Sequence, residues 1–227
     1  MTLVKKISTG AATAFLACGA VVGAGLATPS HAVAEGNQQS SQAVLHSFRG
    51  EIEKQVLSGD SNAKIDLDKF DSLTKEQKLE LMGYLDGSVP MPSESVGNMQ
   101  VDKSSGVVNS SGVAFRSVSS VKDVWATEAF TFAGIKISET KATGKYEVTG
   151  DSINTLSQGC IVERSYNPVQ SINSENNGHF VSGGKAVFEC KVTSVYGIPN
   201  VAEASKRENI QFIEANANGE VVGNGWR

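Results

Sequence analysis

The chain has little of what metal sites and nucleic-acid surfaces are built from. It contains 3 cysteines and 3 histidines in 227 residues, and they show none of the close ligand pairing of a zinc site. The formal net charge is −4, which gives no sign of the basic surface that nucleic acids or anionic membranes attract. We therefore predict no metal, no cofactor and no nucleic-acid partner.

One acidic segment, GDSNAKIDLDKFDS, matches the spacing of a calcium-binding loop only in part. Oxygen-bearing side chains stand at four ligand positions: Asp60, Asn62, Asp68 and Asp71. Lys64 and Ile65 occupy the positions where such a loop needs an oxygen ligand and a glycine. The segment is therefore interpreted as an ordinary acidic loop between two helices.

Long apolar runs are confined to the N-terminus. Lys5 and Lys6 precede an apolar run from Ala11 to Ala27, and a small-x-small sequence follows at residues 32–34. This pattern is typical of a secretory signal peptide. We predict a signal over residues 1–34, cleaved after Ala34, with the bond after Ala32 as the alternative. No later run is long enough to span a membrane, so the protein is expected to be secreted and extracellular, with no membrane span after cleavage.

Export also decides how the cysteines are counted. Cys18 would leave with the signal peptide, and only Cys160 and Cys190 would remain. Two cysteines in an oxidising compartment predict a disulfide. In AVFECKVTS (186–194), Cys190 shares one side of the predicted strand with the apolar residues. We interpret it as a tether in a β core rather than as a nucleophile.

The first part of the mature chain has helical periodicity. Residues 35–87 are predicted to form a short helical hairpin, because apolar residues recur at helical spacing and Thr74 and Gln77 have the spacing of a capping box. Residues 88–112 are rich in Gly, Ser and Pro. They are predicted to be a linker in which only a short strand would fit.

Residues 113–227 change to a period of two. Short alternating segments separated by Gly and Asn indicate an antiparallel β-sandwich or small barrel. Asn218 and Gly219 predict a hairpin turn near the C-terminus. The fold class is therefore α+β, with a helical hairpin, a linker and a β domain that carries one disulfide.

Three aromatic residues of the β domain are candidate binding residues: Trp226, Trp125 and Tyr166. Exposed rings on a rigid sheet stack on sugars or anchor a protein partner, although the same rings are equally expected in a core. The partner is accordingly expected to be a cell-surface protein or a polysaccharide. The sequence does not indicate the oligomeric state.

Two carboxylates are candidate catalytic residues under one assumption about register. If Cys160 and Cys190 faced each other on adjacent strands, Glu163 and Glu189 would be diagonal neighbours on the other face, with their backbones about 7–8 Å apart. Carboxyl groups at such distances act in inverting glycosidases. Lysines 185 and 191 share that face, which is typical of a solvated surface, and the bridge could instead join two sheets.

No motif is specific enough to name a family. The best prediction is a non-catalytic binding or interaction module of the bacterial cell exterior. A secreted carboxylate-based hydrolase acting on polysaccharide and a secreted toxin or bacteriocin-like effector are the alternatives.

Overall fold

Three helices precede eight strands in the computed structural model, which describes residues 32–109, 119–197 and 205–227. The elements are α1 Ala32–Leu57, α2 Ser61–Ser72, α3 Lys75–Leu85, β1 Met99–Asn109, β2 Ser119–Phe132, β3 Ile135–Thr149, β4 Ser152–Ser165, β5 Gln170–Ser182, β6 Lys185–Tyr196, β7 Ser205–Ala215 and β8 Val221–Trp226. The α+β class and the antiparallel β-sandwich are confirmed. The predicted signal peptide lies outside the described residues apart from residues 32–34. Among the described helices, none is long and apolar enough to cross a membrane.

The segment interpreted as an acidic loop between helices is itself a helix, α2, and that interpretation was wrong. Asp60 caps it, because its carboxylate accepts hydrogen bonds from the backbone N–H groups of Asn62, at 2.8 Å, and Ala63, at 3.3 Å. The predicted capping box of α3 is present: Thr74 and Gln77 each accept a hydrogen bond from the other's backbone N–H. The described helical part therefore contains three helices where the sequence predicted two.

The predicted linker of residues 88–112 contains strand β1, and the prediction was wrong for this part. β1 pairs with β2 in an unbroken antiparallel register from Met99 opposite Phe132 to Asn109 opposite Lys122. Its polar residues suit an edge strand, since one of its sides has no neighbouring strand in the sheet. The linker was predicted from serine and glycine content, which does not indicate that β1 pairs with β2.

The strands form two four-stranded antiparallel sheets, each in simple chain order. We call β1–β4 sheet 1 and β5–β8 sheet 2. The predicted disulfide is present: Cys160 in β4 is bonded to Cys190 in β6, with a Cα–Cα distance of 5.7 Å. Within the sheets, Cys160 lies opposite Ala142 and Cys190 lies between Asn176 and Gln211. The adjacent-strand register was wrong, and the bridge joins the two sheets.

The space between the sheets beside the disulfide is filled by apolar side chains, which we call the sandwich core. The residues that define it include Val124, Ala126, Ala142, Tyr146, Phe188, Cys190 and Ile213. The Phe188 ring packs on the backbone of Gly144, where a Cβ atom would lie 2.3 Å from the ring. A side chain at position 144 would therefore separate the sheets or displace the ring.

A second apolar cluster, the helix core, lies between the helices and one end of sheet 1. Its buried residues include Phe48, Ile52, Phe70, Leu81, Leu85, Met99, Phe132, Ile135, Ile137 and Tyr166. The inward residues of β2 and β3 thus run from the sandwich core at one end to the helix core at the other. The stretch between the two cores holds the candidate site.

Arg164 of β4 ties helix α2 to the sheet. Its guanidinium donates to Asp60 at 2.9 Å and to Asp66 at 3.1 Å, and it lies 5.2 Å from the centre of the Tyr166 ring. The Asp66 side chain is only 8 % exposed. Burial raises the pKa of Asp66 although Arg164 acts in the opposite direction, so this carboxylate depends on its partner for its charge.

Removal of this guanidinium should destabilise the protein. We expect Arg164→Met to lower the free energy of unfolding at pH 7 by about 2 kcal/mol, because Asp66 is left buried and unpaired. The loss stays below that of a fully buried pair, since Asp66 can take up a proton. Urea unfolding would measure it. Arg49→Met is the matched control: it removes the exposed ion pairs of Arg49 with Asp71 and Glu53, and it should change stability much less than Arg164→Met does. Equal losses in both variants would contradict the prediction.

Candidate functional site

A cavity of about 170 Å³ lies between the sheets, in the stretch between the sandwich core and the helix core. Strands of both sheets and the segment before β1 supply its lining: Met91, Pro92, Ser93, Glu128, Phe130, Ser138, Thr140, Gln170, Ile172, Val192, Ser194, Tyr196, Arg207, Asn209 and Trp226. Ser93 and Asn209 are exposed and border its opening. A cavity of roughly 150 Å³ is enough to hold benzene, so this one can hold a molecule with a single ring.

Glu128 is the buried charged residue of this cavity. Strand alternation places it on the inward side of β2, in line with Ala126 of the sandwich core and Phe130 of the cavity wall. The residue is 2 % exposed, and neither of its carboxylate oxygens has a hydrogen-bond partner among the described residues. A buried carboxylate without donors is unfavourable. Glu128 is therefore an acceptor that no described protein group satisfies.

Lys103 is the nearest cation to this carboxylate. It lies directly opposite Glu128 on β1, and its Nζ atom is 3.8 Å from Glu128 Oε1. That distance is beyond hydrogen-bond range, so Lys103 acts on Glu128 as a point charge. Its side chain is 41 % exposed and remains partly hydrated.

Burial raises the pKa of Glu128 to about 7, and Lys103 offsets only part of the effect. The desolvated carboxylate is the less stable form, and the nearby ammonium does not compensate for the water that is lost. Glu128 therefore exchanges its proton in the physiological pH range. A group with this property in a cavity is a candidate for binding or proton transfer.

Two neutral groups of the lining also lack partners. The Oγ1 atom of Thr140 and the indole N–H of Trp226 are buried without hydrogen bonds to described residues. Together with Glu128 they offer a ligand two acceptors and two hydroxyl or N–H donors, counting the Thr140 hydroxyl in both roles. The rest of the lining is mixed: Phe130, Ile172 and Val192 are among its apolar residues, and Ser138, Gln170 and Ser194 among its polar ones.

The opening of the cavity carries a second charge. Arg207 of β7 lines it, and its guanidinium lies 5.7 Å from the centre of the Tyr196 ring. Tyr196 is 6 % exposed, and burial raises its pKa although Arg207 acts in the opposite direction. The cavity is thus acidic at Glu128 and basic at Arg207.

The three aromatic candidates have different surroundings. Trp226 lines the cavity. Trp125 lies on the outer face of sheet 1 over Gly106, where a Cβ atom would lie 3.0 Å from the indole ring. Tyr166 is 2 % exposed and belongs to the helix core. Among the three, Trp226 is the one that a ligand between the sheets would touch.

The two catalytic candidates lie on outward faces of different sheets. Because Cys160 and Cys190 point at each other, alternation turns Glu189 outward from sheet 2, where it accepts from Asn177 at 2.7 Å and pairs with Arg227. Glu163 pairs with Lys141 on the outer face of sheet 1, at 3.0 Å. The sheets lie between the two carboxylates, and the diagonal arrangement predicted from adjacent strands does not occur.

Sequence reasoning missed Glu128, although the signal was there. In VWATEAFTF (124–132), Val124, Ala126, Phe130 and Phe132 occupy alternate positions, and Glu128 falls between them on the same side. A carboxylate on the apolar side of a strand is unusual enough to be a candidate functional residue. No group of three or more His, Cys, Asp or Glu side chains in the described residues is arranged to hold a metal ion.

Comparison of the chain with family models, with curated proteins and with solved structures finds no match. Its function therefore has to be argued from the geometry of the cavity.

Proposed function

We propose that the protein is a secreted, non-catalytic binding module that holds a small molecule in the cavity between its two sheets. One observation carries the proposal: Glu128 is 2 % exposed, lines the cavity and has no hydrogen-bond partner for either oxygen within the described part of the chain. Leaving a buried acceptor unsatisfied destabilises a fold by about 1–3 kcal/mol. A ligand that donates to Glu128 would remove this penalty.

The size of the cavity favours a small ligand over the partners expected from the sequence. A volume of about 170 Å³ holds one ring and a short substituent, whereas a polysaccharide chain or a protein would have to bind outside. The outer face around Trp125 would be the place for such partners. Three residues with buried polar atoms that lack hydrogen-bond partners among the described residues, Glu128, Thr140 and Trp226, line this one cavity, and this supports the small molecule.

The hydrolase alternative has weaker support. A carboxyl group with a pKa near 7 suits proton transfer, but hydrolysis by paired carboxylates needs a second acid nearby. Glu128 is the one carboxylate among the lining residues. Glu163 and Glu189 are held in separate ion pairs on the outside. The effector alternative gains no support from a particular contact of the described residues.

The proposal predicts that one-ring compounds enter the cavity. The chain has 2 tryptophans, so their indole N–H signals in ¹⁵N-labelled protein can be assigned with Trp125→Phe. Titration with benzylamine, benzyl alcohol and phenylacetate should shift the Trp226 signal in a saturable way and leave the Trp125 signal in place.

Two serine variants distinguish the cavity from the surface. Ser194→Phe should abolish the Trp226 shift, because Ser194 lines the cavity and a phenyl ring there would occupy it. Ser171→Phe, at an exposed position of β5, should leave the shift unchanged. If none of the three compounds shifts the Trp226 signal, the proposed function is wrong.

A further inference from the structure

We infer that the ligand of this cavity is an organic cation, a primary ammonium on a flat apolar body, with the ammonium on Glu128 and the body between the aromatic walls. The inference rests on the proposed function and adds the chemical class of the ligand. The juxtaposition that carries it is a buried carboxylate, without a hydrogen-bond partner among the described residues, in a cavity lined by Phe130, Tyr196 and Trp226.

The carboxylate calls for a donor that also carries positive charge. Hydrogen bonds from an ammonium to a carboxylate are roughly twice as strong as those between neutral groups. A neutral donor would satisfy the oxygens but leave the buried negative charge uncompensated. Lys103 neither donates a hydrogen bond to Glu128 nor fully compensates its charge, since its Nζ atom lies 3.8 Å from Oε1 and its side chain is 41 % exposed.

The aromatic side chains that line the cavity also favour a positively charged ligand. Aromatic faces carry partial negative charge and attract cations within about 6 Å of the ring centre. Three aromatic residues line a cavity of about 170 Å³, so an ammonium inside it has an aromatic ring close by wherever it sits. An anion would meet the same aromatic side chains and the buried Glu128, and only Arg207 in this lining would attract it.

The cavity also fixes the orientation of the ligand. Glu128 is buried and Arg207 lies towards the opening beside Tyr196. The positive end of the ligand is therefore drawn towards Glu128 and repelled from Arg207. Thr140 Oγ1, buried without a partner in the same cavity, is available as a further acceptor for the ammonium.

Several groups line the cavity with Glu128 or lie opposite it on β1, and they set how binding depends on pH. They are Lys103 on β1, Tyr196 on β6, Arg207 on β7, and the neutral Thr140 on β3 and Trp226 on β8. Glu128 has to be ionised to bind a cation, whereas an aliphatic ammonium keeps its proton to about pH 10. Affinity for the cation should therefore rise between pH 6 and pH 8, while affinity for a neutral analogue stays constant.

Benzylamine and benzyl alcohol are the matched probes, with calorimetry and the Trp226 signal as readouts. At pH 8 we expect benzylamine to bind about tenfold more tightly than benzyl alcohol, which is the range of one charge-assisted hydrogen bond. The ratio should fall to about threefold or less at pH 6, where Glu128 is mostly protonated. Phenylacetate should bind most weakly.

Three variants test the role of Glu128. Glu128→Gln keeps the shape and should remove the preference for benzylamine at both pH values. Glu163→Gln, which removes a carboxylate on the outer face, should leave it unchanged. Lys103 lowers the pKa of Glu128, so Lys103→Gln should move the rise in benzylamine affinity to higher pH. This variant keeps the test open if Glu128→Gln does not fold, and an unchanged pH dependence would contradict the role of Glu128.

The outcomes separate this inference from the proposed function. If the Trp226 signal shows that benzyl alcohol binds with the same affinity as benzylamine, the cavity binds ligands but the cation class is wrong. If phenylacetate binds best, Arg207 rather than Glu128 anchors the ligand and the inference is overturned. If no compound shifts the Trp226 signal, the proposed function fails and this inference fails with it.

Discussion

Glu128→Gln should remove about 3 kcal/mol of pH-dependent stability between pH 4 and pH 8. The pKa of Glu128 is raised from 4.5 to about 7 in the folded protein, and each unit of difference between folded and unfolded states is worth 1.36 kcal/mol. At pH 4 Glu128 is mostly protonated in both the folded and the unfolded protein. As the pH rises from 4.5 to 7, the unfolded chain releases its proton while the folded protein keeps it, so stability falls with rising pH over this window.

Urea unfolding at several pH values would measure the effect. The wild-type free energy of unfolding should fall by about 3 kcal/mol more than that of Glu128→Gln between pH 4 and pH 8. The difference between the two curves isolates Glu128, because other titrating groups contribute equally to both. Glu163→Gln, which removes a partly exposed carboxylate of the outer face, should follow the wild-type curve. Parallel curves for wild type and Glu128→Gln would show that Glu128 titrates normally.

The same measurement carries information about the ligand. An organic cation in the cavity pairs with the ionised carboxylate and should lower the pKa of Glu128. Saturating benzylamine should then reduce the loss of stability at high pH, because it binds the folded protein only. Benzyl alcohol should not change the slope.

Removal of the disulfide should have an effect of similar size. Cys160 and Cys190 are 30 residues apart in sequence. In the chain-entropy model a bridge over this length restricts the unfolded chain by about 3–4 kcal/mol. We therefore expect the double variant Cys160→Ala and Cys190→Ala to lose about that much free energy of unfolding. The loss is large beside the 5–15 kcal/mol that is usual for a domain.

Chemical reduction of the wild-type protein provides the control. Unfolding of the reduced protein should show the same loss as the double variant, whereas a reductant should not affect the variant. Mass analysis without reductant should find the native protein about 2 Da lighter than the dithiol form. A double variant within about 1 kcal/mol of wild type would show that packing, and not the bridge, holds the sheets together.

The sequence was sufficient for features that depend on neighbouring residues. Alternation placed Cys190 on the apolar side of β6, where it is 0 % exposed, and the spacing of Thr74 and Gln77 identified the start of α3. The hairpin at Asn218 and Gly219 was also predicted correctly. Its loop contains the five residues 216–220 and is longer than the two-residue turn typical of this pair. The backbone N–H of Asn216 donates to the carbonyl of Glu220 and closes the loop.

The errors concern features that distant residues decide. β1 is polar and forms because β2 supplies its hydrogen bonds, which the composition of residues 88–112 does not indicate. Alternation says which side of a strand a cysteine occupies but not whether its partner lies in the same sheet or across the core. For the same reason the diagonal pair of Glu163 and Glu189 was wrong, and Glu128 was overlooked because a strand glutamate is usually assigned to solvent.

The bridge between β4 and β6 has a mechanical consequence for the cavity. It clamps the two sheets together beside the Phe188 ring, while Ser194, Arg207 and Asn209 lie further along the strands, past the sandwich core. The chain itself joins the sheets on the other side of the cavity, where residues 166–169 connect β4 to β5 and the backbone N–H of Gly197 donates to the carbonyl of Val169. The cavity therefore lies between two covalent connections of the sheets, and both limit how far the sheets can separate when a ligand enters.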